Sequence, residues 1–422
     1  QSDTLLYTAG FRSSDWSGQL VAREIKPDGT VASLSSESPE WDAEEKLAAN
    51  SSRKIFTSER SSVDTATTQV LAGGKGILLD GSALSNLATE QVNALNHDTS
   101  GAADSLASNR VDWLYGDDSA HASFRSRQAL DGSGNTVQRL LGDIIGSNPQ
   151  FAGKRDFGYR RLTGLTESYV DFRSDSSYQN RPDVLYVGAN DGLLHAFNAK
   201  TGEEFFSYMP SELLLPESGD SFARINHLLD PDYDHRYYVD GTPTVWDAYW
   251  GNSWKTVLVG SMAAGGRTVF ALDVTDPQSF AQSDVLWEFT DPDLGYGVSK
   301  PTVVRMQNGD WVAIFGNGYN SANHKAVLYI VRLEDGQLLA KINTNQSGDD
   351  ASSPNGLAAP TVTLDIDTLS ANLVYAGDLK GRMWRFDVSD ATPGNWVDAS
   401  NRTVLFEAED SSGTPQPITA AP

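Results

Sequence analysis

A β-hairpin with a fixed pattern recurs along this chain and limits the folds open to it. The stretch 183–204, DVLYVGANDGLLHAFNAKTGEE, has an apolar strand ending in Gly188, a polar turn and a second apolar strand ending in Asn198. A weaker copy opens the chain at 5–25. The strand-ending glycines of the later copies are Gly260, Gly316 and Gly377, and the successive spacings from Gly188 are 72, 56 and 61 residues.

Imperfect β repeats at this spacing predict an all-β propeller, in which each small sheet buries its faces only against its neighbours. Blades with loops of roughly 50–60 residues would give about seven blades in a chain of this length. We interpret 1–422 as one β-propeller domain, and five copies of the hairpin pattern can be recognised in its sequence. The alternative is a sandwich or barrel with several similar hairpins. Recurrence of the glycine, turn and Asp pattern in register favours the propeller.

A helical insertion is predicted at about 84–114, where the hydrophobic period changes from that of a strand to that of a helix. A second short helix is expected within it, at 102–114. The apolar residues that carry the first helix are Leu84, Leu87, Val92 and Leu95.

The remaining segments are predicted to be short helical turns, loops and a tail that connect or follow the strands. The stretch 41–52 is expected to form one or two helical turns before a strand at 54–57. The polar stretches 214–236 and 344–357 are predicted to be loops. The tail, 411–422, is rich in Pro, Thr and Ala, and no strand follows it as a partner.

The composition excludes several classes of function. The net charge is −24, with 56 acidic and 32 basic residues, and such a surface repels nucleic acid and anionic lipid. The absence of cysteine excludes thiolate metal sites, thiol catalysis and disulfides. No apolar run is long enough to span a bilayer, and the first residues lack the features of a signal peptide. We therefore predict no nucleic-acid partner and no membrane insertion.

No catalytic motif is visible. The histidines lack the spacing of a metal site, and the chain contains neither a phosphate-binding glycine loop nor a Gly-x-Ser-x-Gly nucleophile elbow. His195 alternates with apolar residues in a predicted strand, which indicates a packed side chain rather than a ligand. The chain is therefore predicted not to be an enzyme.

Two further stretches attract attention as binding sites. The segment 230–241 has aspartates at alternating positions, as a calcium loop does, but Gly241 stands where a bidentate Glu is expected. We interpret it as a turn before a strand. The aromatic cluster Trp246, Tyr249, Trp250 and Trp254 is typical either of a ligand-binding surface or of packing between blades, and packing is favoured.

The order of several motifs resembles the C-terminal β-propeller of the PilY/PilC-type type IV pilus tip adhesins and assembly factors, and this similarity runs over essentially the whole chain. The motifs include RVDWLYGD, LLGDIIGSNPQFAG, VGANDGLLHAFNAKTGEE, DPDYDHRYYVDGTPTV, VLWEFTDPDLGYGVSKPTVVR, SSPNGLAAPTV and VYAGDLKGRMWRFDV.

The resemblance implies a modified quinoprotein-like propeller in a protein secreted through the periplasm to the pilus tip (fimbrium). It implies minor pilins as partners, attachment to a host or abiotic surface, and a role in pilus biogenesis, extension and retraction, hence in twitching motility. It also implies a further N-terminal region beyond this sequence.

The chain departs from its relatives at two places. Relatives carry a nine-residue calcium loop, DxNxDxxxD, before VYAGD, and the resemblance assigns Asp365, Asp367 and Asn372 to its ligand positions. One ligand position is replaced and the last matches only after a one-residue deletion, so calcium binding is expected to be weak or lost. The relatives also continue beyond ITAAP into another strand pair, which predicts a last blade that is either incomplete or completed by material outside this sequence.

Two other functions remain as alternatives. A quinone-dependent dehydrogenase shares the propeller fold, but such enzymes use a vicinal disulfide and repeated tryptophan motifs that this chain lacks. A lectin-like propeller would bind glycans through exposed aromatic residues, and the change Trp250→Ala would test it.

Overall fold

The computed structural model describes residues 5–31, 38–61, 69–71, 75–298, 300–346 and 348–422. Ser347, inside the predicted loop 344–357, lies outside the described residues. Short antiparallel strands dominate, as the hairpin pattern predicts. Up to residue 152 the strands are β1 (Leu5–Arg12), β2 (Ser17–Glu24), β3 (Trp41–Asp42), β4 (Ile55–Ser58), β5 (Gln69–Leu71), β6 (Gly76–Leu78), β7 (Gln128–Leu130), β8 (Thr136–Gln138) and β9 (Gln150–Ala152).

The strands from residue 184 onward contain the repeated hairpins. They are β10 (Val184–Gly188), β11 (Leu194–Asn198), β12 (Glu204–Tyr208), β13 (Thr244–Trp250), β14 (Ser253–Ser261), β15 (Val269–Asp273), β16 (Val285–Thr290), β17 (Thr302–Arg305), β18 (Trp311–Gly316), β19 (Val327–Arg332), β20 (Leu338–Asn343), β21 (Thr361–Leu364), β22 (Ala371–Gly377), β23 (Arg382–Asp387) and β24 (Arg402–Glu407).

Four consecutive sheets share one plan, an antiparallel meander of four strands in chain order. These meanders are β9–β12, β13–β16, β17–β20 and β21–β24. The first is extended by β4, which pairs in parallel with β12, and by β6, and the second is extended by β5. An N-terminal sheet of β1, β2 and β3 precedes them, and β7 and β8 form a separate hairpin.

Alternate residues of the inner strands enter two different hydrophobic cores, because successive side chains of a strand point to opposite faces of its sheet. In β10, Leu185 and Val187 pack against the N-terminal sheet, whereas Tyr186 packs in the core shared with β14 and β15. In β18, Phe315 faces the preceding sheet and Ile314 faces the following one. The sheets are therefore stacked face to face, and each inner strand is buried on both sides.

Strand pairing among the described residues does not join the last meander back to the N-terminal sheet. The all-β architecture agrees with the prediction, while the number of about seven blades remains a prediction. No helix in the described ranges is both long and apolar enough to cross a membrane.

Helices occur at the predicted insertion and also elsewhere. They are α1 (Ala43–Ala49), α2 (Thr89–Leu95), α3 (Ala107–Tyr115), α4 (Tyr169–Ser174), α5 (Ser176–Asn180) and α6 (Pro393–Trp396). The insertion contains α2 and α3, which bury Leu95 and Val111 in the core beside the first meander. The one or two helical turns expected at 41–52 are present as α1. Outside these predicted segments, the short helices α4 and α5, capped by Ser168 and Asp175, follow the ninth strand.

The glycines that end the second strand of a meander have a steric role. A Cβ atom on Gly188 would lie 2.3 Å from the carbonyl oxygen of Val239, and one on Gly316 would lie 2.1 Å from that of Ala358. Val239 and Ala358 belong to the segments that lead into a later sheet. A side chain at either glycine would thus block the backbone that crosses there.

The tail packs against the last meander without forming a strand. The Ile418 N–H donates a hydrogen bond to the carbonyl of Asp378 at 3.0 Å, and a Cβ atom on Gly377 would lie 2.3 Å from the Ile418 side chain. The last meander has four strands, as does the one before it.

Candidate functional site

The residues assigned to the calcium loop lie in and beside the turn between β21 and β22. Asp365 and Asp367 are in the turn, whereas Asn372 is the second residue of β22. Oδ1 of Asp365 accepts hydrogen bonds from the backbone N–H of Thr368 at 2.8 Å, from its hydroxyl at 3.0 Å, and from the N–H of Asp367 at 3.0 Å. The hydrogen bonds from Thr368 hold the pKa of Asp365 below its usual range. One carboxylate oxygen is therefore used within the turn itself.

Two arginines from distant parts of the chain contact the same turn. The Arg161 guanidinium donates a hydrogen bond to the carbonyl oxygen of Ile366. Arg305 donates to the hydroxyl of Ser370 at 2.9 Å and to the carbonyl of Thr368 at 3.4 Å. Two carbonyl oxygens of the turn and one hydroxyl thus already accept hydrogen bonds from arginines, and a cation bound in the turn would be repelled by that positive charge.

The turn does not fit a calcium cage. Calcium needs about six oxygen ligands, several of them anionic. Asn372 uses its side-chain oxygen to accept a hydrogen bond from Thr363 at 2.5 Å, and Leu369, with a φ of 54°, contributes no side-chain ligand. Throughout the described ranges no cluster of three or more acidic or histidine side chains is arranged to hold a metal ion.

The aromatic cluster is largely internal. Trp254 is only 3% exposed and lies with its ring centroid 4.6 Å from that of Tyr169. Trp246 donates its indole N–H to the hydroxyl of Tyr159 at 2.7 Å. Trp250 is half-buried, with the Lys255 ammonium 5.6 Å from its ring centroid. The segment that contains α4 therefore covers most of this cluster, as the packing interpretation expects.

The stretch 230–241 forms a turn. Oδ1 of Asp230 accepts the N–H of Asp232 at 3.0 Å, and its other oxygen accepts the Thr99 hydroxyl at 2.7 Å. The first hydrogen bond closes the turn, and the one from Thr99 joins the turn to the helical insertion.

His195 belongs to a buried chain of charged groups. Its Nδ1 lies 2.7 Å from Glu204 Oε1 and its Nε2 lies 3.1 Å from Asp191 Oδ2. Glu204 also accepts the Nε–H of Arg53 at 2.8 Å, and both side chains are almost fully buried. His195 is thus packed, as predicted, but within an ionic network that the sequence does not reveal.

The network shifts the pKa of both central groups. Burial would lower the pKa of His195, but the carboxylates of Asp191 and Glu204 outweigh burial and raise it to about 9. Burial would raise the pKa of Glu204, but Arg53 and His195 lower it to about 2. The histidine and the glutamate are therefore both charged near neutral pH.

A pocket that sequence reasoning missed lies above this network, and we call it the arginine pocket. It is bordered by the β1–β2 turn, the segment after α3 and the β10–β11 turn, and encloses about 70 Å3. The only local signal in the sequence is the run FRSRQAL at 124–130, which is basic in an acidic chain. Its defining side chains are Arg53, Arg125, Arg127, Arg139, Trp16, Trp113 and Tyr233.

The stacked four-stranded meanders define an all-β protein built from repeated antiparallel sheets. A family model described as the PilY1 beta-propeller domain matches residues 141–422. The chain belongs to this family.

Relatives of this chain carry names that place them in the same family. A type IV pilus biogenesis factor PilY1 homolog from Xylella fastidiosa is 36% identical over 451 residues, covering 98% of this chain. The type IV pilus biogenesis factor PilY1 of Pseudomonas aeruginosa strain PAK is 38% identical over 388 residues, covering 83% of this chain. This chain spans 29% and 31% of the lengths of those two proteins.

A solved structure supports the same family. The crystal structure of the Pseudomonas aeruginosa PilY1 C-terminal domain matches with a TM-score of 0.51 and 37% sequence identity. The match covers 64% of this chain and 55% of that one.

Proposed function

We propose that this chain is the C-terminal propeller of a type IV pilus tip-associated adhesin that supports pilus biogenesis, extension and retraction, and surface attachment. The observation that carries the proposal is 38% identity over 388 residues to a protein named as a pilus biogenesis factor. In this proposal the protein is secreted through the periplasm and held at the pilus tip by minor pilins. The propeller has about seven quinoprotein-like blades, of which the described residues supply the N-terminal sheet and four meanders.

The proposed role is structural and adhesive rather than enzymatic, and it needs no bound calcium. The chain has no cysteine for the disulfide of a quinone-dependent dehydrogenase. Two arginines contact the turn that carries calcium in relatives. Purified protein supplied with pyrroloquinoline quinone, calcium and alcohols or sugars should show no dye-linked turnover, and robust turnover would refute the non-enzymatic role.

The experiment that tests the proposal is deletion of the gene in its own bacterium, followed by complementation. The full-length gene should restore surface pili, twitching and attachment, whereas the gene lacking the codons for 1–422 should not. A full-length gene carrying Glu203→Gln serves as a control, because Glu203 is exposed and its change leaves the fold intact. Normal piliation and attachment without the propeller would refute the proposal.

A further inference from the structure

The arginine pocket concentrates basic side chains in an acidic molecule. Four arginines line it together with two aspartates, Asp15 and Asp191, although the chain as a whole carries a net charge of −24. Further acidic side chains behind the lining balance most of this positive charge. The capacity of the pocket to hold an anionic group therefore depends on whether any of its arginines lacks a partner.

Three of the four arginines already have acidic partners. These ion pairs are Arg53 with Glu204 at 2.8 Å, Arg127 with Asp118 at 2.9 Å, and Arg139 with Asp15 at 2.5 Å.

Arg125 is the exception. Within the described part of the chain, no side chain or carbonyl accepts a hydrogen bond from its guanidinium, and its Nε is buried without a partner. Its contacts are instead with aromatic rings, at 4.4 Å from the Tyr233 centroid and 5.8 Å from that of Trp113. Burial lowers the pKa of Arg125 and outweighs the carboxylates of Asp15 and Asp118, which are near enough to act on its charge. An incoming anionic group that accepts hydrogen bonds from the guanidinium would offset this cost of burial.

The fold fixes Arg125 in this position. Its backbone N–H donates to the carbonyl of Leu229 at 2.8 Å, and its own carbonyl accepts the indole N–H of Trp113 at 2.8 Å. These bonds fix the backbone of Arg125, and the contacts with the rings of Tyr233 and Trp113 restrict its side chain, so less conformational entropy is lost when the guanidinium binds.

The size of the pocket and the side chains around it limit the kinds of ligand that it could bind. A cavity of about 70 Å3 has room for one small anionic group and its stem. The planar fork of a guanidinium matches a carboxylate, with two parallel hydrogen bonds. A carboxylate on a flexible side chain meets both conditions.

A row of aromatic side chains in contact continues outward from the pocket. Trp16 stacks on Phe11 with ring centroids 5.9 Å apart and lies tilted against His235 at 4.2 Å, and the His235 ring meets that of Tyr237 edge-on at 5.0 Å. Phe11 and Tyr237 are 46% and 40% exposed. Trp16 also has a φ of 55°, a conformation that bulky residues rarely adopt and that concentrates at functional sites. Arg, Trp and Tyr are the residue types enriched at the energetic centres of protein interfaces.

We propose that the arginine pocket anchors an acidic side chain of a protein partner, with the aromatic row as the adjoining contact surface. The proposal goes beyond the pilus role and stands on the pocket alone, so either can fail without the other.

The test uses the full 422-residue chain and two synthetic peptides that differ in one charge. The probes are acetyl-Tyr-Glu-Tyr-amide and acetyl-Tyr-Gln-Tyr-amide, titrated by calorimetry and by tryptophan fluorescence. The Glu peptide should bind about tenfold more tightly than the Gln peptide, the effect of one charge-assisted hydrogen-bonded pair. Glucuronate and inorganic phosphate are titrated in parallel.

Substitutions inside and outside the pocket show whether the preference for the Glu peptide arises there. Arg125→Met should remove the preference for the Glu peptide, whereas Arg160→Met, which removes one exposed charge elsewhere, should leave it unchanged. Trp16→Asn introduces a residue that tolerates positive φ, and it should weaken both peptides about threefold while keeping the preference. This second variant keeps the test decisive if Arg125→Met does not fold.

Several results would overturn the proposal. These are equal affinity for the two peptides, no saturable binding of either peptide at millimolar concentration, an unchanged preference in Arg125→Met, or unchanged binding in Trp16→Asn. Tighter binding of glucuronate or phosphate than of the Glu peptide would show instead a site for an acidic sugar or a phosphate.

Discussion

The guanidinium of Arg53 donates its Nε–H to the carboxylate of Glu204 at 2.8 Å, and both side chains are at most 2% exposed. The two residues are 151 positions apart in the chain. Arg53 also donates to the carbonyl of Leu114 at 3.2 Å, at the end of the helical insertion. The pair thus joins the insertion, the segment before β4 and β12, the last strand of the first meander.

We expect Glu204→Gln to lower the free energy of unfolding by about 3–5 kcal/mol, because it leaves Arg53 buried without a counter-ion. Denaturant unfolding measures the change. Glu203→Gln is the matched control at the adjacent exposed position and should cost about 0.5 kcal/mol or less. Equal effects of the two substitutions would show that the buried pair contributes nothing specific.

The stability of the protein should fall from about pH 7 to about pH 9 as His195 loses its proton. The pKa of His195 is raised from 6.5 to about 9 in the fold, so its stabilising charge is fully present below pH 6.5 and is lost as pH rises through 9. The loss should reach about 3 kcal/mol. Burial raises the pKa of Glu44 to about 7 and of Asp240 to about 6, so these groups act mainly below this window.

Denaturant unfolding at several pH values provides the measurement. His195→Gln should lower stability at pH 7 and flatten the curve between pH 7 and pH 9, since the titrating group is gone. A curve with the same slope in both proteins would assign the pH dependence to other residues.

Calcium should change the melting temperature by about 1 °C or less at millimolar concentration, because stabilisation is small when the dissociation constant is similar to the concentration. Asp365→Ala should be mild and cost only contacts within the turn. Calorimetric titration of chelator-treated protein provides the direct measurement. Micromolar binding that disappears in Asp367→Ala would mean that the turn has kept a calcium site despite its arginine contacts.

Two tryptophans of the β13–β14 hairpin should contribute differently to the stability of the protein. Trp254→Ala should destabilise the protein by about 3–5 kcal/mol, because the buried indole packs on Tyr169 and donates its N–H to the carbonyl of Glu167 at 3.1 Å. Trp250→Ala, at a half-buried position near the turn, should cost about 1 kcal/mol or less. Thermal unfolding compares the two. Loss of glycan binding in Trp250→Ala would instead support a lectin role.

The part of the fold that depends on local signals could be predicted from the sequence. The glycine at the end of the second strand recurs recognisably in the sequence, because the backbone at Val239 or Ala358 leaves no room for a side chain there. The stretch 214–236 is a loop with 3-10 turns, as predicted, but the sequence did not reveal that Ile225 and Leu228 within it are buried in the first core. The 3-10 turn that carries them, Arg224–Leu229, is too short to show a helical period.

The candidate sites depend on contacts that a sequence pattern does not record. The resemblance to the relatives' calcium loop predicted weak or lost calcium binding at 365–373, because one ligand position is replaced and another is displaced, and that prediction awaits its test. The contact from Arg161 to Ile366 spans 205 residues and has no sequence signature. The arginine pocket is similarly assembled from side chains as far apart as Trp16 and Tyr233.

The sharing of each inner strand between two cores has a mechanical consequence. No sheet whose inner strands enter two cores can leave its place without opening the interfaces on both of its sides. Tension applied along the chain would therefore release whole sheets rather than single strands. The protein would lengthen in discrete steps, each releasing one sheet and absorbing part of the load before the next interface yields.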